Sequence, residues 1–207
     1  MDYKVVDKHK IDSRLLYYQM SSNYEIDDAG IVHVDGSVYC DRLPKNKLMA
    51  VQFGRVTGDF VIAAALQPLS LKGCPSYVGK WFQIEPNNGI NSLEHGPTQV
   101  DGSYTVEVGN PIKSLKGVAS HVGKNLNIFT PTLKEIADLP ENLKYVHVAY
   151  NKHMPVLRLL TAERAYIQNA TVGMQLILDK YAGQGRAGAI KCAAELIKAG
   201  FKDNARW

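Results

Sequence analysis

A valine recurs every 22 residues through the middle of the chain, at Val34, Val56, Val78, Val100 and Val122. Four residues further on stand Val38, Phe60, Phe82, Tyr104 and Leu126, and two beyond those Cys40, Ile62, Ile84, Val106 and Ile128. Three columns of five rows are apolar throughout. A glycine stands near the front of each row, at Gly36, Gly58, Gly79, Gly102 and Gly123, and a looser column runs through Leu71, Leu93 and Leu115. The near-identity of "VDGSVYC" and "VDGSYTV", which begin 66 residues apart, is therefore three periods of 22. A fixed period of this length marks stacked coils, because one coil alone cannot bury its apolar face.

Within each row the apolar pair sits at i and i+2, which is strand spacing with both side chains on one face. Glycine and a polar residue precede the pair, and "PNNGI", "GNPI" or "TPTL" follows it. Glycine admits positive φ and proline fixes φ, so these stretches turn the chain. One short strand, one turn and one return per period describe a solenoid with a parallel sheet. At roughly 1.5–3 kcal/mol per fully buried large apolar side chain, the columns suffice to hold the stack together.

The last coil carries a more specific pattern, Leu139-Pro140-x-x-Leu143-x-x-Val146-x-Val148-x-x-Asn151. It resembles the short leucine-rich repeat of bacterial and viral proteins, and the resemblance covers about residues 30 to 155. The fold it implies is an α/β repeat: a leucine-rich-repeat-like solenoid of about six 22-residue coils with a helical C-terminal cap. The asparagine column of that family falls on Ala65, Asn87, Gly109 and Pro131 before Asn151, so a broken ladder is expected. The organisation follows as an N-terminal cap over 1–30, the solenoid over 31–155 and a helical cap over 156–207.

In the cap, Leu157, Leu160, Ile167, Met174, Ile177, Leu178 and Tyr181 fall near one helical face, and so do Ile190, Ala193, Ala194 and Ile197. Gly200 is placed to end the last helix. The closing "ELIKAGFKDNARW" is similar to the endings of small tailed-phage proteins with degenerate leucine-rich repeats. That resemblance implies an anti-defence protein that neutralises a host toxin, such as one that ADP-ribosylates DNA.

Composition narrows the chemistry. No apolar run is long enough to span a membrane, and the N-terminal "MDYKVVDKHKIDSR" lacks the apolar core of a signal peptide, so a cytoplasmic protein without membrane contact is expected. Cys40, Cys74 and Cys192 are odd in number and lack C-x-x-C spacing, which points to reduced thiols, with Cys40 in the core. His33, His95, His121, His147, His153 and His9 are scattered without metal-ligand spacing. "GKNLN" and "GQGRAG" do not match a phosphate-binding loop. Neither a catalytic constellation nor a metal or cofactor site is expected.

A surface remains. The residues flanking each buried pair point outward onto what should be the concave face: Tyr39 and Asp41; Trp81, Gln83 and Glu85; Thr105 and Glu107; Asn127 and Phe129; Tyr145 and His147. Aromatic and charged side chains together are the composition of an interface hot spot. Asp41, Glu85 and Glu107 share one outward column, expected about 5 Å apart, and such a column would repel phosphate and suit a basic protein. The net charge of +4 then concentrates elsewhere, with Lys180, Arg186, Lys191, Lys198, Lys202 and Arg206 marking the tail. The expected function is non-enzymatic protein binding through the sheet face. The alternative is a nucleic-acid-associated protein that uses the basic tail.

Overall fold

Each 22-residue period folds into two short strands set at a corner of two or three residues, where a single strand was expected. The computed structural model describes residues 7–207, so residues 1–6 of the N-terminal cap lie outside the described residues. Helix α1 (Lys8–Arg14) and strands β1 (Tyr18–Met20) and β2 (Tyr24–Ile26) precede the coils. Five coils then carry paired strands: β3 (Ile31–Val34) with β4 (Val38–Cys40), β5 (Gln52–Val56) with β6 (Phe60–Ile62), β7 (Tyr77–Val78) with β8 (Phe82–Ile84), β9 (Gln99–Val100) with β10 (Tyr104–Val106), and β11 (His121–Val122) with β12 (Asn125–Ile128). A sixth coil contributes β13 (Tyr145–Ala149), and β14 (Arg164–Gln168) follows it.

The strands form two sheets. The long sheet runs β1-β4-β6-β8-β10-β12-β13-β14 and the short sheet β11-β9-β7-β5-β3-β2. All pairings are parallel except β1 with β4 and β2 with β3, which turn back antiparallel at the N-terminal end. The architecture is a parallel-rich β-solenoid of about six coils. Among the described residues, 31–149 contain no helix, so the repeating unit is strand and turn, and the α/β expectation does not hold inside the coils.

The sequence columns are the rungs of the ladder. Val38, Phe60, Phe82, Tyr104 and Leu126 pair in register at 22-residue steps, which shorten to 20 at Val146 and 19 at Ala165. Phe60, Phe82, Tyr104, Ile62, Ile84 and Val106 are fully buried, as are Leu71, Leu93 and Leu115 on the return side. An aromatic ladder threads the core from Tyr18 through Phe53, Phe60 and Phe82 to Tyr104, with successive ring centroids 4.8–6.1 Å apart.

The corner glycines serve close approach. A Cβ on Gly79, Gly102 or Gly123 would meet a carbonyl oxygen of the preceding coil at 2.2, 2.0 or 2.1 Å, and none of the three has a left-handed φ. They also alternate between two adjacent columns: Gly79 stacks on Thr57, whereas Gly102 stacks on Lys80.

The left-handed turns lie at the next corner, at Ala65, Asn87 and Gly109, with φ of 60°, 61° and 78°. This accounts for the asparagines. The column expected to be a broken ladder is the turn itself, and the ladder stands one residue later. Asn88 Nδ2 donates to the carbonyls of Ala63 and Glu85, Asn110 Nδ2 to those of Glu85 and Glu107, and Thr132 Oγ1 to Ile112 O. Buried amides satisfy the carbonyls freed where the chain leaves the sheet.

The C-terminal end differs from a wholly helical cap. Residues 157–161 form a 3-10 turn, and 164–168 join the long sheet, with Ala165 and Ile167 buried and Arg164, Tyr166 and Gln168 exposed. Helices α2 (Val172–Tyr181) and α3 (Gly185–Lys198) follow. The open edge of β14 is met by the side-chain amide of Gln175, which accepts from Ile167 N at 3.0 Å and donates to Ala165 O at 2.8 Å, as a further strand would. Asn204, buried, returns to donate to Asn151 O and Met154 O. In α3 the inward face is Gly188, Ala189, Cys192 and Leu196. Ile190 and Ile197, which helical spacing groups with Ala194 on one face, are 82% and 52% exposed, because the small residues let α3 sit close on its other side.

Candidate functional site

Every outward residue singled out above lies on the outer face of the long sheet or at its margin. One register column crosses the whole sheet: Gln19, Tyr39, Val61, Gln83, Thr105, Asn127, His147 and Tyr166. Asn127 Nδ2 donates to Thr105 Oγ1 at 3.1 Å, locking two neighbours of that column. A second column follows two residues later, through Asp41, Ala63, Glu85, Glu107 and Phe129, and the amides of the last four each donate one coil back.

Only two of the three carboxylates are neighbours. Ala63 stands between Asp41 and Glu85, so the Asp41 carboxylate is two coils, about 9.6 Å, from Glu85 at ~4.8 Å per strand. Asp41 is instead held by the N-terminal strand: Gln19 Nε2 donates to its Oδ2 at 2.7 Å, and Arg42 Nε lies 3.6 Å from its Oδ1. Glu85 receives the Tyr39 hydroxyl at 3.4 Å and the Ala64 amide at 3.0 Å on one oxygen. Burial first, and the neighbouring Glu85 second, push the Glu107 carboxyl above its ordinary value.

Trp81 is 55% exposed and no loop covers it, but it is not beside the acidic pair. It precedes β8, four residues before Glu85, which is about 13 Å along an extended chain. Its backbone N–H donates to Asp59 Oδ1 at 3.1 Å, and the indole borders a notch of about 360 Å³ lined by Asp59, Lys80, Asp101 and Lys124 over Gly79 and Gly102. The expected grouping of Trp81, Glu85 and Glu107 is therefore two separate features, because a strand sets residues i and i+4 at its opposite ends.

The aromatic residues do converge. The His147 ring stands edge-on to Phe129 and to Tyr166, each with centroids 4.7 Å away, and 6.1 Å from Tyr145. Desolvation lowers the His147 pKa, which favours the neutral imidazole, and its Nε2 is buried without a hydrogen-bond partner among the described residues. Phe129 is the rung after Glu107, so the acidic pair abuts this cluster directly. Tyr166, 42% exposed, completes the cluster and was missed in the sequence. The alternation in "RAYIQ" was the available signal.

The outer face of the short sheet is self-satisfied by contrast. The Arg55 guanidinium stacks over Tyr77 at 3.9 Å, Tyr77 Oη and Gln99 Nε2 donate to Asp101, and Thr57 Oγ1 donates to Asp35. His33 accepts the Arg55 amide on Nδ1 and faces Asp27 through Nε2. Elsewhere, burial pushes the Cys40 and Cys74 thiols up and the Cys192 thiol to about 11, which removes the thiolate needed of a nucleophile. Among the described residues no three His, Cys, Asp or Glu side chains are grouped to hold a metal ion, and no helix is long and apolar enough to cross a membrane.

No family model matches the chain, and neither a curated protein nor a solved structure matches it.

Proposed function

We propose that the protein is a non-enzymatic binding module that engages a protein partner through the outer face of its long sheet. The observation that carries this reading is the continuity of Glu85, Glu107 and Phe129 with the His147–Tyr166–Tyr145 ring cluster. An acidic pair beside half-buried aromatic rings and the exposed Tyr166 suits a partner that offers Lys or Arg next to an apolar side chain. Phosphate is disfavoured at such a face. In the tail, Lys180 is paired with Glu195, and the Arg206 guanidinium donates to His153 O and Asp203 O, so the basic surface available to nucleic acid is smaller than composition suggests.

The coils are read as degenerate leucine-rich repeats on the strength of Leu139-Pro140-x-x-Leu143 and the strand that follows it. With the phage-like ending, they support reading the protein as a phage-encoded, anti-DarT-like inhibitor. It would act in the host cytoplasm by occupying a DNA-ADP-ribosylating toxin. The test is titration of such a toxin, purified, with the wild type and with a Glu85→Lys, Phe129→Ala, Tyr166→Ala variant. The wild type should bind and suppress DNA modification, and the variant should bind at least thirtyfold more weakly, about 2 kcal/mol. Equal binding by both removes the sheet-face reading. Binding to duplex DNA that falls steeply with added salt would favour the nucleic-acid alternative.

A further inference from the structure

The exposed stripe of α3 has the layout of a helix-docking seam. Ala187, Ile190, Ala194 and Ile197 follow one another at spacings of three, four and three residues, and all four are exposed. They occupy the a and d positions of two heptads, with alanine at a and isoleucine at d. Lys191 and Lys198 then fall at the two e positions, and Arg186 at the g position before the first heptad; all three are exposed and make no ion pair among the described residues. The only acid in the helix, Glu195, is turned away, accepting from Lys180 Nζ and Tyr181 Oη. Scattered apolar residues on a surface are ordinary. Four in register, with two lysines along one border and an arginine at the start of the other, are not scattered, and the alanines leave hollows between the isoleucines into which a facing helix can pack.

We infer that this face of α3 docks an amphipathic helix of a partner protein that carries Asp or Glu along both edges of its apolar stripe. Charge selects the occupant. A second copy is disfavoured in either orientation, because e would face g in a parallel pair and e would face e in an antiparallel one, opposing cation to cation. A lipid surface is the poorer fit, since an interfacial helix buries Trp, Phe or Leu and this stripe offers two isoleucines and two alanines. The site is separate from the long-sheet face and independent of the reading given to it.

The experiment uses the full chain, isotopically labelled, and two synthetic three-heptad helices with leucine at a and d, one with glutamate and the other with lysine at e and g. The glutamate helix should shift the amide resonances of residues 186–198 and bind at least tenfold more tightly than the lysine helix. Ile190→Asp with Ile197→Asp should weaken it at least tenfold while the melting temperature is kept, since both side chains point outward. Glu85→Lys with Glu107→Lys should bind the glutamate helix as the wild type does. Equal binding of the two helices, binding of neither, self-association of the free protein through residues 186–198, or preferential binding to phosphatidylserine over phosphatidylcholine vesicles that the Ile190→Asp, Ile197→Asp variant loses, would each overturn the inference.

Discussion

Replacing Gly102 by alanine tests why the corners of the coil are glycine. The added Cβ would lie 2.0 Å from Lys80 O and 2.6 Å from Lys80 C, against ordinary contacts of 3.4–4 Å. Both atoms are backbone, so the coils must separate by about 1.4 Å locally, the gap between contact and overlap. Hydrogen bonds from Phe82 N to Ser103 O and from Asp101 N to Val78 O, both 3.0 Å long, join the two coils on either side of that point. Stretched by this amount they pass beyond hydrogen-bonding distance. Overpacking at ~1–3 kcal/mol with two ladder bonds at ~0.5–1.5 kcal/mol each gives a loss of about 2–6 kcal/mol, a large part of a domain's stability. Gly173 in α2 is the control, because a Cβ there meets nothing within 4 Å; Gly173→Ala should stabilise by up to ~1 kcal/mol. Urea unfolding at a common slope measures both. If Gly102→Ala unfolds within ~0.5 kcal/mol of the wild type, close coil approach is not what the glycine serves. Gly102→Asn should be at least as damaging as the alanine; rescue by asparagine, which tolerates left-handed backbone, would point to φ instead.

Three further outcomes follow from single groups. Tyr104 Oη is buried without a partner among the described residues, so Tyr104→Phe should leave stability unchanged or raise it by ~1–2 kcal/mol, and a loss above ~1 kcal/mol in urea unfolding would show that the hydroxyl is satisfied. Ala65 holds φ at 60°; relief of left-handed strain at ~1–2 kcal/mol less the entropy of glycine at ~0.5–1 kcal/mol makes Ala65→Gly stabilising by up to ~1.5 kcal/mol, readable as a higher melting temperature. Burial lowers the His147 pKa, so the unfolded chain binds the proton more readily, and stability should fall as pH drops from 7 through the ordinary histidine value of ~6.5. His147→Gln should flatten that part of the pH–stability curve, and an equal slope in the variant would place the titrating group elsewhere.

How far the sequence reached depended on whether a residue's reason was local. Phe60, Phe82 and Tyr104 were legible because burial on one strand face imposes spacing of two within a coil and 22 between coils. The second sheet was not, because β7, β9 and β11 are two residues long and leave a single buried valine each, with no alternation to detect. The asparagine ladder was misplaced by one position for a related reason: Asn87 and Asn88 are adjacent, and nothing in their identity says which turns the chain and which is buried. Their neighbours in the stack do say so, since Gly109 takes the left-handed place and Asn110 the buried one.

The candidate face was partly legible on the same grounds. Outward positions on β8, β10 and β12 follow from alternation, but which outward residues meet is decided by place along the strand and by rung order: the length of β8 separates Trp81 from Glu85, and rung order brings Phe129 beside Glu107. Helical periodicity identifies the stripe of Ile190 and Ile197 without saying which side of the helix is covered. In α3 two stripes compete, and the one with Gly188, Ala189 and Cys192 goes inward because its smallness allows close packing. The bulkier stripe is thereby left outside with its lysines, and its exposure is a consequence of the packing that holds the C-terminal end together.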